Sequence, residues 1–269
     1  PEERASINLK LKSGVKGVFN LIATLGGGYD DKQLWDNELI ATYFQRNSQL
    51  LATYKGNNSG SDLEIELRSF DDYDYSRTST ISDIAMPATP GINKRYYYFN
   101  QSHSATYNQV FRVGKNGELG INAAYLNDQD ERSNQSVTTT LLPDGSKNVV
   151  DERFNGILHR NIANGNITYM QNTERNYIKE QLKFDWLSTD GHSNIYAGED
   201  IAQENNVENY RLHNLFHLTS RTGSDKGVEF LSKINLEKRP HSLSVAPNLF
   251  PDIIMSEQMF QSAERRNIS

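Results

Sequence analysis

Apolar and polar residues alternate with a period of two through most of this chain. Over Val18 to Leu25, Phe19, Leu21, Ala23 and Leu25 fall on one face and Asn20 and Thr24 on the other, with Val18 and Ile22 blurring the second. Trp35, Leu39, Ala41 and Tyr43 share a face with Asn37, and Leu50, Ala52 and Tyr54 repeat the theme. The same rhythm recurs in Ala105, Tyr107, Phe111 and Val113, and in Leu119, Ile121, Ala123 and Tyr125. It returns in Leu182, Phe184 and Trp186, in Leu212, Phe216 and Leu218, and in Val228, Phe230, Ile234 and Leu236. Such alternation predicts strands with one apolar and one polar face. The strands expected are roughly 17–27, 35–45, 49–57, 95–113, 118–128, 161–171, 177–188, 209–220 and 228–237.

The connections carry a second pattern. Those at 46–48, 114–117, 172–176 and 221–227 are tight and rich in Gly and Asn, which is hairpin chemistry. The connections at 28–34, 58–94, 129–160 and 191–208 are longer, and the two kinds alternate. Inside 129–160, the segments 137–142 and 148–154 flank Pro143-Asp144-Gly145-Ser146, so this loop should project as a β-ribbon. The tail from Ser256 to Arg265 reads as a short helix. Short turns on one rim and long loops on the other are the layout of an outer-membrane β-barrel. Most of these strands, at 9–12 residues, also suit a tilted membrane crossing, which needs ~9–11, better than a soluble sheet, where ~5–6 is usual. The fold class expected is all-β: an antiparallel meander forming part of a transmembrane β-barrel of about nine strands.

Composition narrows the function classes. Of 269 residues, 36% are hydrophobic and 10% aromatic, which is lean for a buried core yet too aromatic for a disordered chain. A barrel wall facing lipid on one side and a polar lumen on the other accounts for both numbers. The absence of cysteine removes disulfides, Cys-ligated zinc and a thiol nucleophile. A net charge of −6 argues against nucleic acid as a partner. No apolar run approaches the ~18 residues of a membrane helix.

No group stands out as catalytic, so the chain is not expected to be an enzyme. Gly-x-Ser-x-Gly, a phosphate-binding Gly-Lys-Ser/Thr loop and Gly-x-Gly-x-x-Gly after a strand are all missing. Carboxylate pairs such as Asp128 with Asp130 and Glu199 with Asp200 could suggest a glycosidase, but 34 acidic residues produce such pairs by chance. His213 and His217 share a strand face ~13 Å apart, too far for one ion, so a polar lumen role is expected and no metal or cofactor. The weak ligand-binding candidates are Asp71, Asp72, Tyr73, Asp74 and Tyr75, an acidic aromatic cluster in the longest loop. Trp35, Tyr96, Tyr97, Tyr98 and Trp186 sit near strand ends, where an aromatic girdle would lie.

Particular stretches resemble a known family. Ala5-Ser6-Ile7-Asn8-Leu9-Lys10-Leu11-Lys12-Ser13-Gly14 resembles the plug–barrel junction of TonB-dependent outer-membrane receptors. Gly17-Val18-Phe19-Asn20, with Gly26-Gly27-Gly28-Tyr29, resembles their first barrel strand and its loop. Leu141 to Ser146 and Arg239 to Val245 are similar to stretches of related barrels. The resemblance implies residues 1–14 as the end of a plug and 15–269 as the N-terminal part of a barrel. It also implies uptake of a nutrient, such as a glycan or metal chelate, across the outer membrane. The implied partners are outer-membrane lipid, the TonB system acting through a plug not contained in this chain, and a surface lipoprotein. The alternatives are a soluble or surface-exposed all-β binding module and, behind it, a secreted all-β glycoside hydrolase. A chain starting at Pro1 and ending on Arg-Arg-Asn-Ile-Ser is expected to be a piece of something longer.

Overall fold

The computed structural model describes residues 17–64, 67, 84–93, 96–97, 99–222 and 226–269. It is an all-β antiparallel meander. Ten strands form one open sheet in sequence order. They are β1 (Val18–Asp30), β2 (Lys32–Gln45), β3 (Ser48–Asn57), β4 (Phe99–Val113), β5 (Gly117–Leu141), β6 (Lys147–Asn172), β7 (Asn176–Tyr196), β8 (Asp200–Arg221), β9 (Gly227–Ala246) and β10 (Met259–Ile268). β1 and β10 are its edges. No helix among the described residues is long and apolar enough to cross a membrane, which leaves crossing by strands untouched.

All nine expected strands are present, with two corrections. The tail expected as a helix is a strand, β10, paired along its length with β9. Helix-forming Glu, Gln, Ala and Arg dominate its sequence, but the open edge of β9 supplies a ladder of backbone partners, and tertiary pairing overrides propensity. Three of the long connections are also largely strand. β5 and β6 continue as a paired ribbon to the turn at Leu142–Ser146, and β7 and β8 continue to Ala197–Glu199. β1 and β2 meet at a single residue, Asp31, whose φ of 52° a short polar side chain tolerates. The rim asymmetry therefore comes from strands of unequal length more than from irregular loops. In the ribbon turn, Gly145 takes φ of 84°, and Asp144 Oδ1 accepts from the Ser146 amide at 2.8 Å.

Residues 58–98 form the longest connection between strands, and its described residues contain no strand. Its described ends lie against the polar face of the sheet. Leu63 and Leu67 cluster with Leu126, Ile162 and Leu187. Those three are direct cross-strand neighbours on β5, β6 and β7. Further along, the Ala85 amide donates to Gln203 Oε1 at 2.8 Å. Two glycines make room for this approach. A Cβ at Gly156 would meet Met86 Sδ at 2.4 Å, and one at Gly191 would meet Ile84 Cδ1 at 2.6 Å.

Candidate functional site

The sheet is inverted relative to a soluble domain. Most of its buried groups lie on the polar face and most of its exposed large apolar side chains on the other, the exceptions including Val18, Ile22, Leu51 and Leu231, exposed on the polar face, and Ser188, buried on the apolar one. Phe19 and Leu21 are 64% and 59% exposed, and Ile167, Phe184, Phe230 and Ile234 are exposed as well. Cross-strand pairing makes this face continuous. Leu21 pairs with Ala41, Ala41 with Ala52, Ala52 with Tyr107, Tyr107 with Ala123, Ala123 with Gly165, Gly165 with Phe184, Phe184 with Leu212, and Leu212 with Leu236. Soluble monomers rarely expose a contiguous apolar patch larger than a few hundred Å².

The apolar band has two borders. On the side of the long ribbons, Tyr54, Tyr125, Trp186 and Tyr210 fall in one cross-strand row. The next row outward is polar: His103, Asn127, Asn161, Ser188 and Glu208. Each tyrosine of the border row reaches into it. The Tyr54 hydroxyl and His103 Nδ1 are 2.9 Å apart, Tyr125 donates to Asn161 Oδ1 at 2.8 Å, and Tyr210 donates to Glu208 Oε2 at 2.7 Å. On the tight-turn side the direction reverses. Tyr43, Tyr107 and Tyr169 donate to Gln45, Gln109 and Gln171, each two residues nearer the tight turns. Five of the six phenols thus point away from the middle of the band, the orientation of rings with an apolar body and a wet tip, whereas Tyr107 points to Gln109 in the band's central row.

On β7 the band runs from Ile178 to Trp186, ~27 Å along the strand, and is interrupted there by Glu180, which accepts from Asn214 of β8 on the same face. Strands tilted by ~40°, as in membrane barrels, would turn that length into ~20 Å of height, against the ~25 Å apolar belt of such barrels. From β3 to β8 the ribbon-side border is this single row, while Trp35 on β2 lies four residues beyond it and Leu236 on β9 two residues short of it.

The polar face carries a buried network. Asp128 is 4% exposed and Asp130 is buried beside it. Arg160 bridges Asp128 and Glu64, the latter at 3.0 Å, and Ser102 donates to Asp128. Asn100 donates to Asn57 Oδ1 at 3.0 Å and to the Ser61 carbonyl at 3.1 Å, and it accepts from the Gly60 amide at 2.9 Å. These bonds fasten the start of the β3–β4 connection to the wall. Asp128 and Asp130, noted as a chance carboxylate pair, are each matched to arginine, Asp130 to Arg132.

The candidates from sequence have the following places. Trp35 and Trp186 lie on the apolar face at the ribbon-side border. Trp35 stacks on His103 at 5.1 Å, and a Cβ at Gly56 would meet Trp35 at 2.9 Å and the Tyr54 hydroxyl at 2.8 Å. Tyr96 and Tyr97 sit in a turn ahead of β4, which begins at Phe99, and Tyr96 is exposed. Tyr98 and the cluster Asp71, Asp72, Tyr73, Asp74 and Tyr75 lie outside the described residues, as does the stretch 1–14. His213 and His217 are both on the polar face. The first is hydrogen-bonded to Asn235, and the second lies 2.8 Å from Glu229 Oε1. Among the described residues no group of three His, Asp or Glu is placed to hold a metal.

The Leu126–Ile162–Leu187 row escapes sequence reading because these residues are out of phase with the apolar face. In retrospect the signal was the doublet Tyr125-Leu126, where alternation fails. No protein-family model and no curated protein matches the chain.

Proposed function

We propose that this chain is a wall segment of an outer-membrane β-barrel receptor of the TonB-dependent kind, which takes up a nutrient across the outer membrane. The observation that carries the membrane part of this reading is the belt: an exposed apolar face continuous across nine strands, with five border tyrosines pointing out of it in both directions. The polar face then lines the lumen, and the described residues of the β3–β4 connection lie over part of it. The transport part rests on the sequence resemblance. No reacting group is needed on this chain: it encloses a path, and selectivity comes from the polar groups that line it.

Reconstitution tests the membrane reading. Trp35 and Trp186 sit at the ribbon-side border of the belt, so bromine placed on lipid chains should quench their fluorescence in vesicles, more strongly near the glycerol than at the chain ends. A chain that stays monodisperse in detergent-free buffer, with cooperative unfolding of its sheet, would overturn it and favour the soluble binding module.

A further inference from the structure

Beyond the aromatic row, on the same face, lies a cleft of about 800 Å³ beside the tip of the β7–β8 hairpin. It exists because β6 outruns its neighbour. Arg153 pairs with Tyr196 at the end of β7, and residues 147–152 of β6 have no strand on that side among the described residues. Cross-strand pairing brings the lining together: Asn155 is opposite Asn194, and Tyr196 is opposite both Arg153 and Asp200. A second hollow of about 690 Å³ shares Asn194 and Asp200 and continues over Ala202 and Ala246.

We propose that this cleft is a saccharide site for an uncharged oligosaccharide. Asn155, Asn194 and Asp200 are exposed, and among the described residues their side chains make no hydrogen bond or ion pair. Two carboxamides offer donors and acceptors and a carboxylate accepts, the set that matches vicinal hydroxyls. Tyr196 remains 37% exposed, and beside the small alanines it presents an apolar surface for sugar C–H groups. The Arg153 guanidinium lies 5.8 Å from the Tyr196 centroid and holds the ring in place. Charge excludes anions. The cation Arg153 is committed to Asp151 at 2.9 Å, and Gln135 and Arg153 hold the Asp151 carboxyl below its usual range, so it stays ionised. Asp200 adds further negative charge. Position excludes lipid headgroups as the source. Asn194 lies eight residues beyond Trp186, ~27 Å farther along β7, so the occupant is a free glycan or a surface polysaccharide chain. The saccharide chemistry does not require the membrane reading; only the exclusion of lipid headgroups rests on it.

The full chain is applied to an array of neutral gluco-, manno-, galacto- and xylo-oligosaccharides together with sialylated and sulfated ones. Retention on neutral members is expected, weakened at least tenfold in Tyr196→Ala and in the Asn155→Ala, Asn194→Ala double variant, and unchanged in Thr138→Ala. Circular dichroism confirms that each variant keeps its sheet. Competition by a free hexasaccharide assigns a soluble glycan, and retention of the polymer alone assigns a polysaccharide chain; both support the site. No retention, a preference for acidic glycans, or undiminished retention by folded Tyr196→Ala overturns it.

Discussion

On β6, Asn166 and Ile167 are consecutive residues with opposite surroundings. Ile167 is exposed in a continuous apolar face, whereas Asn166 accepts from Gln181 on the polar face, whose groups farther up the strands are buried beneath the β3–β4 connection. The same ten strands therefore meet two different environments, and the usual relation between polarity and burial is reversed on both. The comparison shows where stability resides: the polar face is held by specific contacts within the chain, while the apolar face gains nothing until a solvent of low polarity covers it.

Five tests break or sharpen that contrast. The largest effect is expected at the buried network. Asp128→Ala removes one of the carboxylates that hold Arg160, and losing half of a buried pair costs ~3–5 kcal/mol. Unfolding in detergent micelles measures this, and a change below ~1 kcal/mol would show the network to be wet and weak. Next is the apolar row beneath Leu63 and Leu67. Ile162→Ala should cost ~2–4 kcal/mol, whereas Ile167→Ala, five residues along the same strand on the other face, should cost under ~1 in micelles. Charge inverts that ranking in a bilayer. Ile167→Arg should cost ~2–4 kcal/mol and Asn166→Arg less than ~1; equal costs would mean that neither face meets lipid. Smaller still, Tyr125→Phe removes the bond to Asn161 and should cost ~0.5–1.5 kcal/mol.

The smallest effect lies at the tip of the ribbon. The Ser146 hydroxyl and amide both donate to Asp144 and hold its carboxyl below its ordinary value of 3.8. A depressed folded value means that the turn's contribution is present above 3.8 and is lost as pH falls through the lower folded value. Amide exchange at Ser146 should accelerate only in strong acid, and Asp144→Asn should abolish that response.

Which parts of this were legible in the sequence follows from the same two environments. Alternation marked the belt strands because only there do the two faces differ in polarity. Beyond the aromatic row both faces are polar, as in Gln129-Asp130-Glu131-Arg132, so the upper halves of β5 to β8 read as loop. β10 was hidden for the same reason, with Ala263 and Ile268 nearly alone among polar neighbours. The candidate sites were harder. Pairing of Asn155 with Asn194, or of Glu64 with Arg160, joins residues 39 and 96 positions apart, and no local pattern encodes such a meeting.

Pro240 has a consequence for mechanics. Between Val207–His241 and Tyr210–Lys238 the β8–β9 ladder is interrupted, because a proline ring in β9 has no N–H to offer β8. The gap falls one row outside the aromatic border, where Glu208 and Tyr210 meet. A sheet bends most easily where it is least cross-linked. The wall therefore has a crease there, running along the strands, about which β9 and β10 can change their angle to the rest while every other seam holds the sheet's curvature fixed.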